Sequence, residues 1–211
     1  EAPWAGIGLL LGSGILLGVV AQQVWGSRTK YSFMSRQEHP DIQLERKVEE
    51  VSLRGQNMVL DMLGQELPLQ SILDTLDQSI EAQISGVTCS ILLVNSDGTR
   101  LVRGSAPNMP AEFYEMVEGL KIRPDNGSCG ASAYTRETVI VEDIETSPLW
   151  GGKYREQALA NNFRSCWSTP ILNASGDILG TFAIYCPVPR KPDEFELRLL
   201  RDAGKWACLA I

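Results

Sequence analysis

The feature that most constrains the fold is a change in hydrophobic periodicity near Gly86. Before it, apolar residues recur at helical spacing: Leu69, Ile72, Leu73, Leu76, Ile80 and Ile84. From Thr88 to Val94 the period shortens from about 3.6 to about 2, the period of a strand. Hairpins are predicted over residues 88–104 and 165–186, with short helical segments between them and a last helix after them. This order predicts an α+β domain with a central antiparallel five- or six-stranded sheet and helices on both faces.

The N-terminal segment carries a separate signal. No charged residue lies between Glu1 and Arg28, and a helix from Trp4 to Trp25 would rise about 31 Å, close to the thickness of a bilayer core. The basic residues follow this segment, so the positive-inside rule places its C-terminal side in the cytoplasm. A cleaved signal peptide is the alternative, but no basic residue precedes the apolar run. Residues 1–27 are therefore predicted to be a single transmembrane helix.

Residues 28–65 are predicted to be a juxtamembrane linker that ends in a long helix. Its apolar or small positions have coiled-coil spacing: Leu44, Val48, Val51, Gly55, Met58 and Met62. The pattern indicates a homodimer through residues 44–62. Because about two and a half heptads are few for a coiled coil, two alternatives stay open. The helix could pack on its own domain, or it could contact other subunits of a membrane complex.

Composition excludes several function classes. The chain has 19 basic and 26 acidic residues, a formal net charge of −7, and no strongly basic stretch, so nucleic acid is not an expected partner. Its five cysteines form no CxxC pair, which argues against a disulfide scaffold and a structural zinc site. The chain has a single histidine, His39, so most metal sites and hydrolytic active sites that depend on histidine are excluded. We expect no metal, no cofactor and no catalytic residue, and hence no enzyme.

Five segments, taken in order and spacing, resemble a GAF domain of the bacterial sensor and signalling type. They are CSILLV at 89–94, GSCG at 127–130, VEDI at 141–144, SCWSTPI at 165–171 and LGTFA at 179–183. The resemblance covers about residues 66–211. It implies a small-ligand pocket on one face of the sheet and a helical dimer interface on the other. Similar domains usually precede diguanylate cyclase, cyclic-di-GMP phosphodiesterase or histidine kinase modules.

The known chemistries of this family have signatures that can be checked in the sequence. Bilin attachment typically uses a Cys-His dipeptide, and haem-binding relatives commonly use an axial histidine; residues 66–211 contain neither. The signature of cyclic-nucleotide-binding relatives is not visible. Cys129 resembles one cysteine of the free methionine sulfoxide reductases, but the loop 147–152 that would supply a second thiol has none. That enzyme is therefore only a minor alternative.

The resemblance implies a ligand site between the sheet and the short helices that follow the first hairpin. The side chains expected to line it are Cys129, Tyr134, Trp150, Tyr154, Trp167, Thr169 and Thr181. A concave apolar site with a few polar groups is typical of small-molecule binding. The alternative is that these aromatic residues fill a dry core and leave no cavity.

Together these observations predict a membrane-anchored sensory or regulatory module that binds a small ligand or a partner and transmits a conformational signal. It would belong to a cyclic-di-GMP or histidine kinase signalling protein of the bacterial inner membrane or its equivalent, with the GAF domain on the cytoplasmic side. The alternative function is a non-catalytic, single-span accessory subunit that uses the fold as a scaffold. Because the chain ends within an apolar helix, we expect an output module to lie downstream of Ile211.

Overall fold

Helices and strands follow one another in the order that the periodicity predicts. The computed structural model describes residues 40–211. Its elements are α1 (Pro40–Gly64), α2 (Leu69–Glu81), β1 (Thr88–Val94), β2 (Arg100–Ser105), α3 (Ala111–Met116), β3 (Leu120–Lys121), α4 (Gly127–Thr135), β4 (Val139–Val141), α5 (Gly152–Ala160), β5 (Ser165–Leu172), β6 (Ile178–Cys186) and α6 (Glu194–Ala210). Residues 47–211 form one compact unit, and residues 40–46 are the first part of α1.

The sheet has six strands in the order β3-β2-β1-β6-β5-β4, and the neighbouring pairs are antiparallel. This confirms the predicted α+β architecture. The two hairpins pair β1 with β2 and β5 with β6, while the long-range pairing of β1 with β6 joins them in the middle of the sheet. The edge strand β3 was not predicted, because two residues are too few to show an alternating pattern.

Each face of the sheet buries its own hydrophobic core. One core lies against α2, α6 and the second half of α1, and its strand residues are Cys89, Ile91, Trp167, Ile171, Phe182, Ile184 and Cys186. The other lies beneath α3, α4 and α5, and its strand residues are Leu92, Leu101, Leu120, Val141, Cys166, Ala183 and Tyr185. Because successive side chains of a strand point to opposite faces, neighbours in sequence belong to different cores.

The second half of α1 packs on the domain that follows it. Val51, Met58 and Met62 lie against the core that α2 and α6 share. A Cβ atom on Gly55 would come within 2.5 Å of the Trp206 ring, so only glycine allows this close approach. Over this part of the predicted dimer seam, the structure agrees with the alternative of packing within one chain. The homodimer itself stays a prediction.

The start of α6 is held by a capping box. The side chain of Asp193 accepts a hydrogen bond from the backbone N–H of Glu196, and the Glu196 carboxylate accepts one from the N–H of Asp193. An Asp followed three residues later by a Glu is the spacing that favours this motif at a helix start. Arg190 adds two hydrogen bonds of 2.6 and 2.7 Å to the same carboxylate, so the loop before α6 is tied to its first turn.

The transmembrane helix predicted over residues 1–27 lies outside the described residues. Among the helices of residues 40–211, none is both long and apolar enough to cross a membrane.

Candidate functional site: a cavity at the start of helix α4

A cavity of about 140 Å³ lies where the start of α4 meets the sheet and the loop before α5. It is lined by Leu92, Val117, Leu120, Asp125, Asn126, Gly127, Ser128, Cys129, Leu149, Trp150, Gly151, Tyr154 and Tyr185. Asp125 and Gly151 are exposed, so the cavity opens to solvent at these two residues. Most of the other lining side chains belong to the core beneath α3, α4 and α5.

The GSCG segment allows α4 to approach the sheet closely. Gly127 has φ of 68°, a conformation that few other residues adopt, and its N–H donates to the carbonyl of Leu149 at 2.8 Å. The next three residues are small and buried. A Cβ atom on Gly130 would lie 3.0 Å from the carbonyl oxygen of Lys121, so a larger residue would push the helix outward.

Ser128 joins three parts of the site. Its hydroxyl accepts a hydrogen bond from the indole N–H of Trp150 at 3.2 Å and donates one to the carbonyl of Cys166 at 3.3 Å. The loop before α5, the first turn of α4 and strand β5 therefore meet at one buried hydroxyl group. Such a connected polar group fixes the positions of its neighbours when each of its hydrogen bonds is made.

Aromatic rings hold Tyr185 at the floor of the cavity. Its ring centroid lies 4.9 Å from that of Phe163, 5.8 Å from that of Phe113 and 6.5 Å from that of Trp150. The Phe113 and Trp150 contacts are edge-to-face, an arrangement that aromatic quadrupoles favour. Tyr185 is thus a rigid part of the site.

The polar end of the cavity is the first turn of α4. The side chain of Asn126, the residue before the helix, does not cap it but donates to the carbonyl of Lys121 at 2.8 Å. Backbone N–H groups at a helix start attract negatively charged or electron-rich groups. Asp125 stands at the same end and pairs with Arg123 at 2.9 Å.

Two thiols lie beside the cavity floor. The sulfur of Cys129 is 3.9 Å from the hydroxyl of Tyr185. The neighbouring Cys166 lowers the pKa of Cys129 most, burial opposes this effect, and Ser168, Thr181 and Tyr185 lower the pKa further, so that it lies below its ordinary value. Burial instead raises the pKa of Cys166 well above its ordinary value. Because the thiolate is the reactive form, Cys129 is the more nucleophilic thiol of the pair.

Residues 40–211 place no three His, Cys, Asp or Glu side chains together as ligands for a metal ion.

Three of the predicted site residues line the cavity: Cys129, Trp150 and Tyr154. Thr181 lies on the same face of the sheet as Tyr185, close enough to Cys129 to affect its pKa, but it does not line the cavity. Tyr134 is on the helix that forms the cavity, yet its side chain is 58% exposed and lies outside.

Trp167 and Thr169 lie on the other face of the sheet, so the prediction that they share one cavity with Cys129 is wrong. In the β5–β6 register Trp167 pairs with Ile184 and Thr169 with Phe182, which turns both away from Tyr185 and Thr181. The indole N–H of Trp167 donates to the carbonyl of Arg190 at 3.2 Å. Thr169 lines a separate groove with Arg136, Arg201 and Lys205, among others.

The sequence-based prediction omitted several lining residues. Tyr185 could have been found, because it shares a strand face with Thr181 by period-2 alternation. Leu149 and Asn126 come from loops, where no periodic pattern indicates which side chains face a cavity. Cys166 does not line the cavity, but alternation along β5 places it on the cavity side of the sheet, because its neighbour Trp167 faces the other core.

Comparison with known proteins places this geometry in a family. The sequence profile of the GAF domain family matches residues 66–205. The methyl sulfide methyltransferase-associated sensor of Methanosarcina acetivorans is 31% identical over 171 residues, which are 81% of this chain. The chain spans only 17% of the length of that relative.

Two solved structures share the fold with this chain at low sequence identity. A GAF sensor protein of Burkholderia vietnamiensis has a TM-score of 0.60 at 18% identity, covering 76% of this chain and 93% of that one. The free methionine-R-sulfoxide reductase of Neisseria meningitidis has a TM-score of 0.62 at 18% identity, covering 77% and 87%. Sensors and an enzyme thus share the fold, and the function has to be argued from the site.

Proposed function

Because the chain belongs to the GAF domain family, we propose that it is a sensor module that binds a small ligand in the cavity at the start of α4 and transmits the change to α6 and α1. The observation that carries this proposal is the cavity itself. It has apolar and aromatic walls, one polar end and an opening to solvent, which together are typical of a small-molecule site.

The lining supports a particular class of ligand. Leu92, Leu120 and Trp150 offer contacts to an apolar body, while the first turn of α4 offers backbone N–H groups to a carboxylate or another electron-rich group. Asp125 at the opening disfavours a second negative charge there. We therefore propose a small organic ligand with an apolar body and a single acidic or strongly polar group.

A continuous set of contacts supports transmission through the sheet. Ser128 on α4 donates to the carbonyl of Cys166, and the next residue, Trp167, faces the opposite core. The Trp167 indole contacts Arg190 through a hydrogen bond and a cation–π contact of 4.6 Å, and Arg190 binds Glu196 on α6. A shift of α4 on ligand binding would be felt at the start of α6 along this path.

The wider context is part of the same proposal. We propose that the module acts within a longer signalling protein, with a histidine kinase or a cyclic-di-GMP enzyme as output. Residues 1–27 would provide a membrane anchor, and α1 would connect it to the GAF domain. The name of the Methanosarcina relative and its much greater length support a sensor that works as one part of a larger chain.

A thermal-shift screen of small organic acids tests the ligand site. A compound at 100 times its Kd should stabilise the protein by about 2.7 kcal/mol. The variant Gly151→Phe should abolish this shift, because Gly151 lines the opening and no atom lies within 4 Å of a Cβ atom placed there. Gly64→Phe, equally unobstructed but on α1, is the matched control and should keep the shift. Equal shifts in the two variants would place the ligand elsewhere.

A further inference from the structure

We propose that Cys129 and Cys166 form a peroxide-reactive thiol pair, in which Cys129 attacks a small hydroperoxide that enters the cavity and Cys166 then closes a disulfide with it. This goes beyond the proposed function by giving the module an oxidative input, and it uses the same cavity.

The positions of the two thiols fit this order of events. Cys129 lines the cavity, so a small molecule that enters past Asp125 and Gly151 reaches its sulfur. Cys166 does not line the cavity, but its carbonyl accepts a hydrogen bond from Ser128, the residue before Cys129. It also pairs across the sheet with Tyr185, whose hydroxyl lies 3.9 Å from the Cys129 sulfur. The first thiol is therefore accessible to the oxidant, and the second is accessible only to the first.

Neighbouring hydroxyl groups complete the site. Ser168 and Thr181 are fully buried on the same face of the sheet as Cys166 and Tyr185, and within residues 40–211 their hydroxyls have no hydrogen-bond partner. Leaving such groups unpaired is costly, and each can donate to a thiolate or to the leaving oxygen of a peroxide. Burial raises the pKa of Tyr185 well above its ordinary value, so its hydroxyl keeps the proton and serves as a third donor.

The other cysteines are differently placed. Cys89 and Cys186 belong to the core on the opposite face of the sheet. Cys208 is half-buried on α6, away from the cavity. These three cysteines therefore serve as internal controls, because an oxidant that acts through the cavity should leave them unmodified.

The Cys129 sulfur attacks one peroxide oxygen, the O–O bond breaks, and the thiol proton goes to the departing oxygen, which leaves as an alcohol or water. Cys129 is then a sulfenic acid. The Cys166 sulfur attacks the Cys129 sulfur, and the sulfenic hydroxyl leaves with the Cys166 proton as water. Two thiols are oxidised by two electrons in total, and one hydroperoxide is reduced.

The disulfide would act on the contact used in the proposed signal path. It joins the first turn of α4 to β5, next to the hydrogen bond between Ser128 and the Cys166 carbonyl. Oxidation would hold α4 against the sheet and narrow the space in which a ligand binds. Peroxide and ligand should therefore oppose each other at this site.

The test treats the reduced full chain with tert-butyl hydroperoxide and maps its thiols by mass spectrometry. The wild type should lose two of its five thiols and yield a peptide pair joined through Cys129 and Cys166. Cys208→Ser should behave in the same way. Cys166→Ser should stop at a sulfenic acid on Cys129 that dimedone traps, and Cys129→Ser should leave Cys166 reduced.

Oxidation confined to Cys208, or a disulfide between other cysteines, would overturn the proposal, as would oxidation of Cys166 in Cys129→Ser at the wild-type rate. The ligand screen under reducing conditions separates this outcome from the proposed function. A ligand that stabilises the reduced protein while the thiol pair stays unreactive would leave the sensor function standing and remove the thiol pair alone.

Discussion

Asp77 is a carboxyl group in a buried environment that favours its neutral, protonated form. It lies on α2, is fully buried, and neither oxygen has a hydrogen-bond partner among the described residues. Burial raises its pKa well above the ordinary value; Glu81 and Asp74 add to the rise, and the Ser105 hydroxyl partly opposes it. The folded protein therefore keeps a proton on Asp77 at pH values where the unfolded chain has lost it.

Because Asp77 has a higher pKa in the folded protein than in the unfolded chain, its titration should lower the free energy of unfolding as the pH rises. Below about pH 4 both states are protonated, and Asp77 contributes no slope. Above it the unfolded chain releases the proton, so the free energy of unfolding falls by about 1.4 kcal/mol for each pH unit, until the pH passes the raised pKa of the folded state. Asp77→Asn removes the titration and should remove this slope while keeping the shape of the side chain.

Urea unfolding of the wild type and Asp77→Asn from pH 4 to pH 8 measures the slope directly. The amide introduced by Asp77→Asn has a burial cost that does not change with pH, so the slopes of the two proteins are compared and not their absolute free energies of unfolding. The control Asp61→Asn changes an exposed carboxyl group on α1 and should unfold with the wild-type slope. If Asp77→Asn also keeps the wild-type slope, then Asp77 is ionised in the folded protein and its burial does not produce the slope.

Two further predictions concern the face of the sheet that packs against α1, α2 and α6. Gly55→Val should lower the free energy of unfolding by about 1–3 kcal/mol, because its side chain would collide with Trp206, whereas Gly64→Val, in open space, should cost less than about 1 kcal/mol in urea unfolding. Equal losses would mean that α1 does not pack there. Trp167→Ala should cost about 3–5 kcal/mol yet leave ligand-dependent stabilisation intact in a thermal-shift assay, while Trp150→Ala should reduce that stabilisation.

Much of the fold could be predicted because strands and helices carry different periods. Both long hairpin strands, Ser165–Leu172 and Ile178–Cys186, have the bounds that alternation and turn residues predict. The long-range pairing of strands is harder to predict than their bounds, because alternation within one strand does not indicate which strand will lie beside it. The β1–β6 pairing, which joins the two hairpins, is of this kind.

The site could be predicted only in part, and Trp167 shows why. The pattern correctly groups Trp167 with Thr169 and Ile171 on one strand face, and Thr181 with Tyr185 on another. Which of these faces meet is decided by the register across the hairpin, where a shift of one residue exchanges the faces. Loop residues such as Leu149 follow no period, and their place at the cavity depends on the hydrogen bond from Gly127.

Hydrogen–deuterium exchange with a stabilising ligand tests most directly the claim that the cavity at the start of α4 is the binding site. With ligand bound, the backbone amides of residues 126–130 and 149–154 should exchange more slowly. Residues 136–138 and 169–172, which border the separate groove, should be unchanged. Slower exchange at that groove, with residues 126–130 unaffected, would contradict the account.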